Sequence, residues 1–216
     1  MKNRVLLICI LIVLSMAALT ALVYPALPAT ITLHWDLHGR PNGFGPPAYL
    51  FGNVGLMAFV LLIWGLKAQL SPARFTVDSF AATYWRIGLL TIVFLAVVHC
   101  LLLWVALAPG QTLQRTLAGA LAVFIGLAGN VMGKLRRNFW LGVRTPWTLA
   151  SDRVWYATHR FAGRSMVIGA LLSLAAVLAG APLAATLGLV LAGVLAPLPY
   201  SLWLYKKMEG DGRLAQ

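Results

Sequence analysis

Acid is what the chain has least of: 5 Asp and Glu among 216 residues, against 17 Lys and Arg. Charged residues of both signs make up only 10%, far below the roughly 25% of an average soluble domain. With 61% hydrophobic residues and a mean hydropathy of +0.85 along the whole length, there is too little polar surface to coat a water-soluble core. Two cysteines, Cys9 and Cys100, both inside apolar stretches, exclude a disulfide scaffold. Glycine shows no three-residue period, and neither tandem repeat nor low-complexity tract interrupts the chain. No His-Glu zinc pair, nucleophile elbow or phosphate loop occurs, and the few acids are isolated from one another, so neither an enzyme nor a cofactor is expected.

What remains is an all-α polytopic membrane protein. A hydrocarbon core about 30 Å thick needs roughly 20 helical residues, and six stretches meet that: residues 5–23, 49–66, 87–107, 116–132, 165–180 and 183–205. An amphipathic cytoplasmic segment between helices 4 and 5 completes the expected fold. Lys2 and Arg4 before the first stretch, with Leu27-Pro28-Ala29 after it, loosely imitate a signal peptide. The apolar run is long for one and Pro28 is awkward beside a scissile bond, so a retained helix is expected. The last two stretches read as a helical hairpin broken at Ala181-Pro182.

Orientation follows from the basic residues, which concentrate in short cytoplasmic loops. Of the 17 Lys and Arg, only Arg40 and Arg115 fall in outer loops when the N-terminus is inside. An even number of spans then returns the C-terminus to the cytoplasm. Trp64, Trp85, Trp203 and Tyr205 mark the inner edge, and Tyr24, Tyr49 and Trp104 the outer one. The net charge of +12 is thus read as membrane topology, and no direct nucleic-acid partner is expected.

The outer loop, residues 24–47, divides in two. Residues 29–35 alternate like a short strand, and residues 39–47 are turn chemistry, with Pro41-Asn42-Gly43 suited to a tight turn. His34, Asp36 and His38 are of metal-ligand type, but the loop lacks the further ligands a site requires, so solvated histidines beside an interfacial Trp35 are expected instead.

The inner loop, residues 133–164, carries most of the chemistry. Thr145-Pro146 is a helix-start signal, and a helix from there would run into the fifth span. On it Trp147, Ser151, Trp155 and His159 share one face, and Arg153, Arg160 and Arg164 lie nearly opposite, as on a helix resting at the membrane surface. Basic residues alone would serve as anchors to anionic headgroups; Asn138, Arg144, Trp147, Trp155, His159 and Arg160 together are more than anchoring needs. Thr148, Ser151 and His159 are imaginable as nucleophile and base, although Ser and Thr beside a helix start are usually caps.

Within the spans, Ala118, Ala122, Gly126 and Asn130 form a small-residue stripe that lets a helix approach closely, and Asn130 is expected to bond a neighbour. His99, the lone ionisable residue deep in the bilayer, is expected to hydrogen-bond between helices, with proton sensitivity as the alternative. No Asp or Glu accompanies it.

Gly129-Asn130, Lys134, Arg136 and Asn138, then Gly142-Val143-Arg144-Thr145-Pro146-Trp147-Thr148-Leu149, Trp155, Thr158-His159-Arg160 and Gly163 resemble the SdpI family of bacteriocin-immunity membrane proteins. The outer loop, with Pro28, Ile31, His34-Trp35, Gly39 and Gly43, resembles the uncharacterised module that often precedes it; Asp36, Asn42 and Pro47 depart from that module's pattern. The resemblance implies an N-terminal module of residues 1–66 with the His-Trp loop and an SdpI-like module of residues 67–216. It implies a bacterial cytoplasmic-membrane protein that protects its cell from a membrane-active peptide toxin. It also implies that the toxin-bound protein can sequester a cytoplasmic repressor. Besides lipid, the expected partners are therefore that peptide and that repressor. A small transporter or carrier for an apolar or cationic compound, motivated by His99 and the stripe, is the alternative.

Overall fold

The computed structural model describes residues 2–72, 75–108, 113–212 and 214. Arg74 and Arg213, counted above among the inner basic residues, lie outside them. The described chain is built of helices, with one small hairpin: α1 Lys2–Val23, β1 Ile31–Trp35, β2 Pro41–Gly45, α2 Tyr49–Gln69, α3 Ala81–Leu107, α4 Gln114–Met132, α5 Pro146–Ala150, α6 Asp152–Leu178, α7 Leu183–Leu195 and α8 Pro197–Gly210. Six segments, with α7 and α8 counted together, are long and apolar enough to cross a membrane. The protein is an all-α polytopic membrane protein, as its composition requires.

The sixth span bends because of its prolines. Pro197 has no N–H to give the carbonyl of Gly193 one turn earlier, and the helix divides there into α7 and α8. The Ser165 hydroxyl on α6 donates to the Gly193 carbonyl at 2.8 Å instead, so the orphaned acceptor becomes an interhelical bond. Close backbone approach makes this possible: a Cβ on Gly169 would fall 2.7 Å from the Leu189 carbonyl oxygen, and one on Gly193 2.6 Å from that of Ser165. Gly180, at φ +74°, turns the chain between α6 and α7, and Arg115 donates to its carbonyl at 3.0 Å. The expected hairpin of the last two spans is present.

The small-residue stripe packs α4 onto α6. Ala118 and Ala122 are buried, and a Cβ on Gly126 would lie 3.2 Å from that of Ala170. Gly129 and Gly163 bring the two backbones together: a Cβ on Gly163 would stand 2.9 Å from the Gly129 carbonyl oxygen.

Two expectations need correction. Pro41-Asn42-Gly43 is not the turn of the outer loop but strand β2; the reversal falls at residues 36–40, where Gly39 takes φ +83°. Glycine is required at Gly43 for a different reason, since a Cβ there would fall 2.8 Å from that of His34 across the ladder. Trp85, expected at the inner interface, is buried against Tyr84 with ring centroids 5.5 Å apart, in a cluster with Phe80, Val131, Leu135 and Trp155. Trp203 and Trp104 do face outward.

Candidate functional site

One end of the bundle closes with an ordered knot over residues 133–151 and the first two turns of α6. Asn138 is its hub. Fully buried, its amide oxygen accepts from the backbone N–H groups of Trp140 and Leu141 at 2.7 and 2.8 Å, and its amide nitrogen donates to the carbonyls of Arg136 and Leu141. A short polar side chain thereby replaces the backbone ladder that a tight, buried loop cannot make.

Thr145 caps α5 as the Thr-Pro signal required. Its hydroxyl accepts from the Thr148 N–H, while the Thr148 hydroxyl accepts from the Thr145 N–H and donates to the Val143 carbonyl at 2.8 Å. The helix does not continue into the fifth span, however. Ser151 is extended at φ −138° and ψ 127°, so α5 ends after five residues and α6 begins afresh at Asp152. Arg137 bridges the break: it donates to the Leu149 carbonyl at the end of α5 and pairs with Asp152 at 3.0 Å, where an acid also suits the N-terminus of α6. Trp147 and Ser151 therefore do not share a helix face with Trp155 and His159. Trp147 instead donates its indole N–H to the Ser201 hydroxyl on α8 at 2.6 Å.

Trp155 and His159 lie in the interior. Trp155 donates to the Leu135 carbonyl at 2.8 Å, and the His159 ring stacks on it at 4.0 Å. His159 is fully buried; Nε2 accepts from the Val143 N–H at 3.0 Å and Nδ1 donates to the Trp155 carbonyl at 2.8 Å, which assigns the Nδ1–H tautomer. Gly142 makes the fit possible, because at φ +96° a Cβ would fall 2.1 Å from Nε2. With both ring nitrogens and the Thr148 hydroxyl engaged in this way, the geometry is that of a locked loop.

The arginines divide into two groups. Arg136 donates to the Tyr156 hydroxyl at 2.9 Å, a bond that raises its already high pKa, and Arg144 donates to the Phe139 carbonyl. Arg160 and Arg164 are exposed and line a groove beside Asn130 and Gly133. Asn130 is exposed too, and among the described residues its amide bonds no neighbouring helix.

At the opposite end, the hairpin roofs a cleft of about 400 Å³. Its walls are Leu33 to Leu37, Val98 and Leu102 of α3, Gln114, Leu117 and Leu121 of α4, and Leu183 and Leu187 of α7. Gln114 donates to the Gly39 carbonyl at 2.7 Å and ties the hairpin tip to α4. His34 bonds the Asn42 side chain, and the Asp36 carboxylate accepts from the N–H groups of His38 and Arg40. The Arg40 N–H, foremost, holds the Asp36 carboxyl below its usual range. Asp36 is thus committed to the turn, and among the described residues no three His, Cys, Asp or Glu side chains converge.

His99 joins three helices. The Thr20 hydroxyl donates to the Met16 carbonyl, so the His99 Nε2–H must donate to Thr20, at 2.8 Å; Asn53 donates to Nδ1 at 3.2 Å. Thr20 and Asn53 carry no signal of their own in the sequence, since one polar residue in a span has many possible partners. The same is true of Ser71, which accepts from the Trp140 indole at 2.7 Å.

Helical spans, a roofed cleft and a polar knot define a polytopic membrane protein organised around two loops at opposite ends. Residues 134–201 match the SdpI/YfhL protein family, and residues 11–65 match a domain of unknown function, DUF1648. The chain is 24% identical over 159 residues to the immunity protein SdpI of Bacillus subtilis (strain 168), an alignment covering 73% of this chain and 74% of that protein. No solved structure matches. The chain carries an SdpI-family domain behind a DUF1648 module.

Proposed function

We propose that the chain is an immunity protein of the bacterial cytoplasmic membrane, with both termini inside, which meets a membrane-active peptide toxin at the outer cleft. The cleft carries the reading. It is apolar within, rimmed by His34 and Asp36, and walled by both modules, which suits an apolar peptide segment arriving from outside. Its α4 wall runs from Gln114 to Met132, directly into the inner knot. An occupant bearing on α4 therefore acts on the element that leads to Asn138, Arg144 and His159, and the exposed basic surface there suits an acidic face of a repressor.

The test follows membrane potential by a voltage-sensitive dye in a toxin-sensitive strain given an SDP-type peptide. Wild type retains the potential and empty vector loses it. Leu117→Trp, which fills the cleft without touching the knot, is expected to lose protection. Arg144→Ala is expected to keep protection and to lose repressor binding. Full protection by Leu117→Trp refutes the cleft as the site of contact.

A further inference from the structure

At the inner end, Arg160 and Arg164 stand one turn apart on α6 and face a groove of about 440 Å³ whose opposite wall is Asn130 of α4 and Gly133 just after it. No acidic residue lines it. Asp152 is paired with Arg137 and Glu209 with Lys206, and among the described residues neither Arg160 nor Arg164 has an ion-pair partner. Two like charges at this spacing repel unless an anion lies between them.

We propose that this groove binds an anionic phospholipid, its phosphate held by Arg160, Arg164 and the Asn130 amide. Depth favours lipid over a soluble anion. Counting roughly 20 residues, the length that crosses a hydrocarbon core, back from the exposed C-terminus of α6 at Leu178 brings the boundary to about His159, so Arg160 sits at headgroup level and Arg164, one turn further in, reaches that level by extending its side chain toward it. The groove then continues into the span along Val167 and Ile168, and Ile168 is 56% exposed, offering an acyl chain an apolar track directly below the charges. Planar guanidinium groups with an amide beside them match phosphate oxygens. This site is independent of the toxin reading.

Native mass spectrometry and melting curves of the full chain, with phosphatidylglycerol or phosphatidylcholine added, test it. Wild type should prefer phosphatidylglycerol by about tenfold or more, as two charge-assisted contacts require. Arg160→Gln/Arg164→Gln should lose that preference, whereas Lys206→Gln/Lys207→Gln, an equal charge loss elsewhere on the inner side, should keep it. Gly133→Leu fills the groove with both arginines intact and should lose it as well, which separates occupancy from folding. A preference that survives both groove variants overturns the proposal. Displacement of the lipid by millimolar inorganic phosphate overturns the lipid assignment. Groove variants that lose an acidic protein partner but keep the lipid preference assign the groove to protein instead.

Discussion

Gly142→Ala tests the inner knot most directly. The substitution adds one methyl group, yet it meets two obstacles. At φ +96° a residue with a Cβ costs about 1–2 kcal/mol. The methyl carbon would also fall 2.1 Å from the His159 Nε2, so His159 must leave both the Val143 N–H and its stack on Trp155. Stranding that buried N–H adds about 1–3 kcal/mol. The sum, on the order of 2–5 kcal/mol, is a large part of a typical folding free energy of about 5–15 kcal/mol. At roughly 2–4 °C per kcal/mol for a chain of this size, the melting temperature in detergent should fall by about 10 °C. Tryptophan fluorescence reports the same event through Trp155. His159→Ala removes the obstructing ring, so Gly142→Ala should cost less in that background than alone, and the double mutant should be milder than the sum. A Gly142→Ala protein melting with wild type, or strictly additive effects, refutes the contact.

Three further outcomes follow from the same geometry. Asn138→Ala leaves the Trp140 and Leu141 N–H groups without acceptors, and should cost about 2–4 kcal/mol and open residues 137–145 to limited proteolysis; an intact, stable loop would mean the hub is dispensable. His99→Leu should cost only about 1 kcal/mol in denaturant unfolding, because interhelical hydrogen bonds in membranes average about 0.6 kcal/mol; a loss of several kcal/mol would show that the network does more than join α1, α2 and α3. For Asp36, the folded carboxyl lies below its unfolded value, so its stabilisation of the outer turn is complete above the usual carboxylate pKa, near 3.9, and is lost as pH falls through the lower folded value. The carboxyl-carbon NMR signal of Asp36 should hold its ionised position from neutral pH down to about 4 and move to the protonated one only below it; a protonation midpoint between pH 5 and 7 would contradict the assignment.

Composition and periodicity sufficed for the membrane class, the six spans, strand β1 and the cap at Thr145, because each depends on local chemistry: apolar length, alternation, or a hydroxyl before a proline. The same local signals misplaced the hairpin turn and the extent of the helix after Pro146, and gave no sign that Trp85 packs inward. Pro41-Asn42-Gly43 has turn chemistry in isolation, but in the protein Gly43 is there to pass His34 across the ladder, and Asp36 closes the turn by accepting backbone N–H groups. Residues 145–160 read as one helix by periodicity; in the protein they are two, divided at extended Ser151, with Arg137 bridging the break through the Leu149 carbonyl and Asp152. The motif residues Asn138, Thr148, Trp155 and His159 were legible as a group, whereas their partners were not. Backbone groups of Val143, Leu135 and Arg136 carry no sequence signature, and Thr20, Ser71 and Ser201 look like any other small polar residue. Only the packed chain decides which polar groups meet, since that pairing depends on where α4, α6 and α8 bring distant segments within hydrogen-bond reach.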